Sequence, residues 1–242
     1  MLRLSLLLLL AVPAAAQPSA EALVASWLRA QAAADRALAL DETLERRIEG
    51  PRYSVRVETD GRVAHAPGAR PRRVAQRGTV NGEPLSGEEL AELDDRLAHA
   101  FGPGGRELGQ PQPLPHRLLE RAEVRSVAPA ELDGTPAWRV ALHLDVPTPR
   151  RHRERRRGRP APPPPSPDAL TAWFSRDGAR LLRLRVEGQR LGGALTRDSR
   201  FQRTGGLDVP TSVSARAELR QRRRLRSYAV EITSAASYRL AE

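Results

Sequence analysis

The sequence predicts an α+β chain in which a curved antiparallel sheet wraps around a long N-terminal helix and carries a second helical insertion. The first observation is the strict alternation at residues 137–146. Trp138, Val140, Leu142, Leu144 and Val146 alternate there with Arg139, Ala141, His143 and Asp145. Successive side chains of a strand point to opposite faces, so this stretch has one apolar face and one mostly polar face. The second observation is that the pattern returns at Leu182, Leu184 and Val186, at Val213, Ala215, Ala217 and Leu219, and at Tyr228, Val230 and Ile232. Several antiparallel strands therefore share one apolar side. The third is an amphipathic helix read over residues 20–48. Leu23, Trp27, Ala30, Ala34, Leu38, Leu44 and Ile48 fall near one face, and Arg29, Asp35, Arg36, Glu42 and Arg46 fall elsewhere. At 1.5 Å per residue that helix would be about 40 Å long, enough to cross a whole sheet.

The elements follow in order. Residues 1–16 begin with Arg3, run apolar through residues 4–12 and end in Ala14-Ala15-Ala16, the parts of a secretory signal peptide. The run is shorter than a bilayer requires and Pro13 interrupts it, so cleavage after Ala16 and a periplasmic or secreted chain are expected. Ser19 is placed to cap the first helix, with Glu21 in its first turn, and Gly50-Pro51 stops it. Tyr53, Val55 and Val57 then form a strand that is expected to turn at Asp60-Gly61, with weaker strands at 62–66 and 73–80. Asn81-Gly82 signals a turn, and Ser86-Gly87-Glu88-Glu89 reads as a capping box opening a helix over 87–100. Residues 102–115, rich in Gly and Pro, read as a loop, and Leu118-Leu119 as a short helical turn. Residues 123–131 and 137–146 make a hairpin around Asp133-Gly134. The Arg- and Pro-rich segment 147–167 is read as an exposed loop between two strands. Strands resume at 169–175, 179–190, up to Arg203, 211–220 and 227–240, with turns at Arg176-Asp177-Gly178, Gly192-Gly193 and Gly205-Gly206.

Composition bounds the function. The 242 residues suffice for one domain with a sizeable core, so 17–242 is read as a single domain. The formal charge of +11 belongs entirely to two segments. Residues 150–159 hold seven arginines against Glu154, and 220–226 hold five arginines and no acid. The rest of the chain is electrically balanced, and no nucleic-acid partner is expected. Cysteine is absent, which excludes disulfides, thiolate chemistry and a lipid-attachment cysteine. The histidines at 65, 99, 116, 143 and 152 show no metal-site spacing, and phosphate-loop, dinucleotide and Gly-x-Ser-x-Gly motifs are missing. A non-enzyme without cofactor or metal is expected.

Three short motifs carry a resemblance to LolA and related outer-membrane lipoprotein carriers. They are Trp173-Phe174-Ser175-Arg176-Asp177-Gly178 followed by Leu181 and Leu184, Gly206-Leu207-Asp208-Val209-Pro210, and Gly134-Thr135-Pro136-Ala137-Trp138. The resemblance implies a half-open antiparallel barrel whose concave apolar face, lidded by helices, accepts the acyl chains of a lipid or lipoprotein. The cavity wall would be Val55, Val57, Val140, Leu142, Leu144, Leu184, Val186, Val230 and Ile232, with Trp27 and Leu38 from the helix. The same residues would equally line a dry, closed core. The runner-up reading is a monomeric envelope scaffold without catalytic activity, attached to an anionic membrane surface or envelope polyanion by guanidinium groups. Its contacts would be Arg150, Arg151, Arg153, Arg155, Arg156 and Arg157 of the loop, with Arg222, Arg223 and Arg224.

Overall fold

A computed structural model describes residues 18–93, 95, 113–144, 168–190, 193–223 and 226–241, with the side chains of 74–76, 190, 219–223 and 226–228 excepted. The signal segment, the loop at 147–167 and the end of the second predicted helix lie outside the described residues. Helix α1 (Ala20–Ala34) is followed by strands β1 (Leu38–Gly50), β2 (Tyr53–His65), β3 (Arg72–Val80) and β4 (Glu83–Leu85). Helical residues 87–93 (α2) and helix α3 (Pro115–Leu119) come next. The chain ends in β5 (Ala122–Leu132), β6 (Thr135–Leu144), β7 (Asp168–Ser175), β8 (Leu181–Arg190), β9 (Gly193–Thr204), β10 (Leu207–Arg223) and β11 (Arg226–Leu240). The strands form one antiparallel sheet ordered β4-β3-β2-β1-β11-β10-β9-β8-β7-β6-β5. Every neighbour is a sequence neighbour except β1 and β11, so the meander folds back on itself. Its two free edges, β4 and β5, flank the segment that holds α2 and α3.

The long N-terminal helix is corrected by the structure. α1 ends at Ala34, and residues 38–50 are the strand β1, so Leu38 sits in the sheet and not on a helix. The side chains of Leu40, Glu42, Leu44, Arg46 and Ile48 are buried on one face while Asp41, Thr43, Arg47 and Glu49 are exposed on the other. Glu42 and Arg46 occupy inward positions, which breaks the apolar alternation that would have identified a strand. The Glu42 carboxylate accepts from Tyr238 Oη at 2.8 Å and pairs with Arg73. Leu, Glu and Arg favour helix locally, but β1 is laddered along its length to β2 and along most of it to β11, and that pairing overrides propensity.

Two smaller expectations also fail. β2 runs straight through Asp60-Gly61, where Thr43 Oγ1 donates to Asp60 Oδ1 at 2.9 Å across the β1 pairing. In β8 a bulge places Leu182 opposite no partner, so Leu181 and Leu184 are buried and Leu182 is only partly so. Other turns match. Asn81 (φ 53°) with Gly82 (φ 88°) and Asp133 (φ 51°) with Gly134 (φ 78°) close two-residue hairpins in the left-handed region those turns require. The capping box is present: Ser86 N–H donates to Glu89 Oε2 at 2.8 Å, and Glu89 N–H donates to Ser86 Oγ at 3.3 Å. These bonds to Ser86 hold the Glu89 carboxyl below its usual range.

The outer face of the sheet is laced by ion pairs, among them Arg62 with Asp41, Arg56 with Glu45 and Glu58, and Arg216 with Glu231. The inner face carries the core. Leu90 of α2 approaches that face over Gly78, whose missing Cβ would collide with the Glu58 carbonyl and stand 3.2 Å from Leu90 Cδ1. Replacement of Gly78 by valine is expected to destabilise the protein by about 2–4 kcal/mol, measured by urea unfolding, because backbone and helix must both give way.

Candidate functional site

Two of the motifs form the seat of α1. In the Ser175–Gly178 turn, Gly178 has φ 71°, and a Cβ there would come 2.8 Å from Leu23 Cδ1 of the helix. At the second, Gly205 (φ 55°) and Gly206 (φ 89°) lead into Leu207, and a Cβ on Gly206 would meet Ala34 at 3.1 Å. Only glycine combines these torsions with so close an approach.

Between the two turns lies Asp208, with its side chain wholly buried. Asp208 Oδ2 accepts from Trp27 Nε1 at 2.6 Å and from the Leu181 N–H at 2.8 Å. Arg203 donates to Oδ1 through Nε at 2.8 Å and to Oδ2 through Nη2 at 3.2 Å. The Asp208 N–H in turn donates to Gln31 Oε1 at 2.8 Å, and Gln31 Nε2 donates to the Gly206 carbonyl at 3.2 Å. Trp27 packs edge-on to Phe174 with ring centroids 5.6 Å apart. Helix, β8 and the β9–β10 turn are thus joined through one carboxylate whose hydrogen-bonding capacity is filled by four donors.

A second clamp holds the helix C-terminus. Asp35 accepts from Arg117 Nη2 at 3.2 and 3.3 Å and lies 3.5 Å from His116 Nε2. Arg117 also donates to the carbonyls of Ala66, at 2.8 Å, and Ala69. His65, at the end of β2, is buried to 1 % exposure, and neither ring nitrogen has a hydrogen-bond partner among the described residues. Burial, reinforced by the nearby Arg117 charge and opposed by Asp35, lowers its pKa from 6.5 to about 4. Burial also lowers His116, against the pull of Asp35.

The sequence missed these groups. Asp208 was legible only as an acid set among Leu207, Val209 and Pro210. His65 continues the inward parity of Val57, Thr59 and Val63, all buried, and that parity was the available signal.

The residues expected to wall a cavity all belong to inner-face rows but divide among separate clusters. Trp27, Val140, Leu142, Leu184 and Val186 pack in one cluster with Phe174, Leu181 and Phe201, and Leu144 is partly buried against it. Val230 and Ile232 pack with Ile48, Leu195, Ala215 and Ala217, and Val55 lies against them. Leu38 touches two further clusters, around Leu40 and Leu44 and around Leu207 and Val209, and Val57 is fully buried. None of them lines either of two hollows found among the described residues. One, of about 830 Å³, lies among Leu132, Arg176, Arg180, Leu182 and Arg200, and the other, of about 460 Å³, lies among Val80, Leu85, Glu89 and Leu93. Of the arginines expected at an anionic surface, 150–157 and Arg224 fall outside the described residues, and Arg222 and Arg223 are placed by their backbone in β10. No described helix is long and apolar enough to cross a membrane.

No family model matches the chain, and no curated protein does. Among solved structures it is similar to the LolA superfamily protein NE2245 from Nitrosomonas europaea, with 10% identity and a TM-score of 0.34 over 93% of this chain and 95% of that one. It is similar to a DUF1329 family protein from Desulfovibrio piger, with 11% identity and a TM-score of 0.34 over the same shares. A third likeness is to a Pseudomonas aeruginosa MucA/MucB complex structure, with 14% identity and a TM-score of 0.23 over 90% of this chain and 99% of that one. At such TM-scores the superpositions say nothing about ligand or partner.

Removal of the Asp208 carboxylate by an alanine substitution is expected to reduce stability by about 2–4 kcal/mol, since it strands the buried Trp27 N–H and takes a partner from the partly exposed Arg203. Arg216→Gln on the outer face is expected to change it by less than about 1 kcal/mol. Chemical unfolding followed by tryptophan fluorescence compares the two. The histidines set a pH dependence of definite sign. Because the folded pKa of His65 lies below its unfolded value, its contribution is complete above about pH 6.5 and is lost as the pH falls toward 4. A shift of that size corresponds to about 3 kcal/mol. Melting temperatures across this window are expected to fall less steeply for His65→Leu than for the natural chain.

Proposed function

We propose that this chain is a non-catalytic envelope protein that holds an acyl chain, of a lipid or a lipidated protein, against the inner face of its sheet. One observation supports the reading most. The apolar rows of β1, β9, β10 and β11 share a face with the α1 core but form clusters separate from it. Small side chains, Ala215, Ala217, Ser234 and Ala236, recur in that second half. A face built this way suits a guest that supplies its own bulk, and each methylene buried there contributes about 0.8 kcal/mol.

α1 serves as the fixed wall in this reading, because Asp208 and the Asp35–Arg117 pair bolt it down at both ends of its last two turns. On the side of the free edges α1 is tied to α3 by that same Arg117, and Leu90 of α2 packs over Gly78. The buried carboxylate of Asp208 is consumed by structural donors, which argues for binding and against acid–base work. Export to the envelope rests on residues 1–16.

The test is native mass spectrometry and organic extraction of the full chain purified from an envelope fraction. Acyl-bearing lipid is expected to copurify, and Ala217→Phe, which fills the inner face beside Ile232 and Leu195, is expected to reduce it several-fold. Absence of bound lipid, together with failure to take up a fluorescent fatty acid, would end the proposal.

A further inference from the structure

Two buried histidines that the proposed acyl site does not use stand around the clamp at the end of α1. His65 closes β2 opposite Leu38, the first residue of β1, and the next carbonyl along the chain, that of Ala66, is the one Arg117 holds at 2.8 Å. His116 precedes Arg117 in α3. Its Nε2 lies 3.5 Å from Asp35 Oδ2, an oxygen to which Arg117 Nη2 also donates. Nδ1 of His116 and both ring nitrogens of His65 are buried and have no hydrogen-bond partner among the described residues. One carboxylate, one guanidinium and two imidazoles thus share a largely buried site.

The described charges that face these rings are few. Asp35 from α1 and Arg117 from α3 act on both, and Glu120, at the end of α3, acts on His116. Farther along the inner face, Glu42 of β1 and Arg73 of β3 pair with each other. A neutral imidazole has one N–H, whereas an imidazolium has two and a full charge. At His65 the second N–H would find no acceptor among the described residues, and the charge would be buried near a guanidinium. Burial disfavours the charged form of both rings, reinforced by Arg117 and opposed by Asp35.

We propose that this clamp is an acid-sensitive latch: protonation of His65 and His116 parts α3 from Asp35 and from the end of β2, and thereby opens the seam between the free edges of the sheet. Charge decides the direction. With both rings protonated, three cations crowd around Asp35, and His116 and Arg117 compete for the same Oδ2. Opening lets each ring keep its proton in water. Return to neutral pH removes both added charges and lets Arg117 remake its bonds, so the latch is reversible. For His65, a pKa of about 4 in the closed clamp against 6.5 in water makes opening about a hundredfold more favourable at pH 4 than at pH 7. The Asp208 junction has no histidine among its partners and keeps α1 docked while α3 moves. Release of a guest by this route rests on the acyl-binding reading, whereas the latch itself does not.

The experiment is hydrogen exchange of the full chain between pH 7 and pH 4, corrected for the intrinsic chemical rate. The Glu120 and Arg121 amides, which bond back to the His116 and Leu118 carbonyls, are expected to lose about a hundredfold in protection. The β6–β7 ladder and tryptophan fluorescence are expected to keep their pH 7 values. The resonances of His65 and His116, followed by NMR, are expected to titrate over the same range as the loss of protection, a comparison that needs no variant. His65→Leu combined with His116→Gln is expected to hold α3 protected throughout. Protection in α3 that acid leaves unchanged, a loss shared equally by the β6–β7 ladder, a range apart from both histidine titrations, or a folded double variant that keeps the response would each overturn the latch. A fluorescent acyl amide, which has no titratable group, is then loaded at pH 7. Its release is expected over the same range and is expected to be absent in the double variant, and opening without release would overturn the coupling to the guest. Failure to load at pH 7 would end the acyl-binding reading alone, since the exchange and NMR measurements use no guest.

Discussion

The Asp208 carboxylate accepts hydrogen bonds from a helix side chain, a strand amide and an arginine of the neighbouring strand, and the positions of α1 and the turns beside it depend on that junction. A buried charge persists only where its partners are complete, and any of them, once moved, would leave the others unsatisfied in a low-dielectric site. That makes the seat cooperative. Gln31 extends it by bonding both the Asp208 amide and the Gly206 carbonyl, so a short helix is held in place by specific polar bonds as well as by Trp27 and Leu23. A 15-residue helix gains little from its own propensity, and docking supplies the rest.

The same economy governs charge. Along the outer face, arginine and carboxylate alternate across strands, so the sheet body carries many charges with little net field. Such exposed pairs add little stability individually. Their effect is to keep the described outer face close to neutral.

Much of this was legible in the sequence where local chemistry decides the outcome. Asn81-Gly82 and Asp133-Gly134 turn because few other residues accept positive φ, and Ser86 with Glu89 caps because their side chains satisfy free amides. The strands whose inner rows are apolar, such as Val140 and Leu142, were equally plain. Legibility ended where a buried polar residue stands in an inward position. Glu42 and Arg46 disguised β1 as the continuation of α1, and Asp60-Gly61 imitated a turn inside a strand held on both sides. In each case the deciding partner, Tyr238, Arg73 or the β3 ladder, comes from elsewhere in the chain. The candidate site followed the same rule: the motif glycines stood out, but the carboxylate they bring under Trp27 did not.

The order of the strands adds one constraint on how the molecule could open. Because β1 pairs with β11, the first and last strands lie in the middle of the sheet, and separating them would break the ladder along most of β1. The free edges belong instead to β4, three residues long with Pro84 at its centre, and to β5, which contains Pro129 and a bulge at Arg125. Proline and bulges resist pairing with foreign strands. An opening at this seam breaks no hydrogen bond between the described paired strands. It is closed instead by α3, whose Arg117 ties Asp35 at the end of α1 to the Ala66 carbonyl beyond β2, so release of that clamp is the step on which any departure from the inner face there depends.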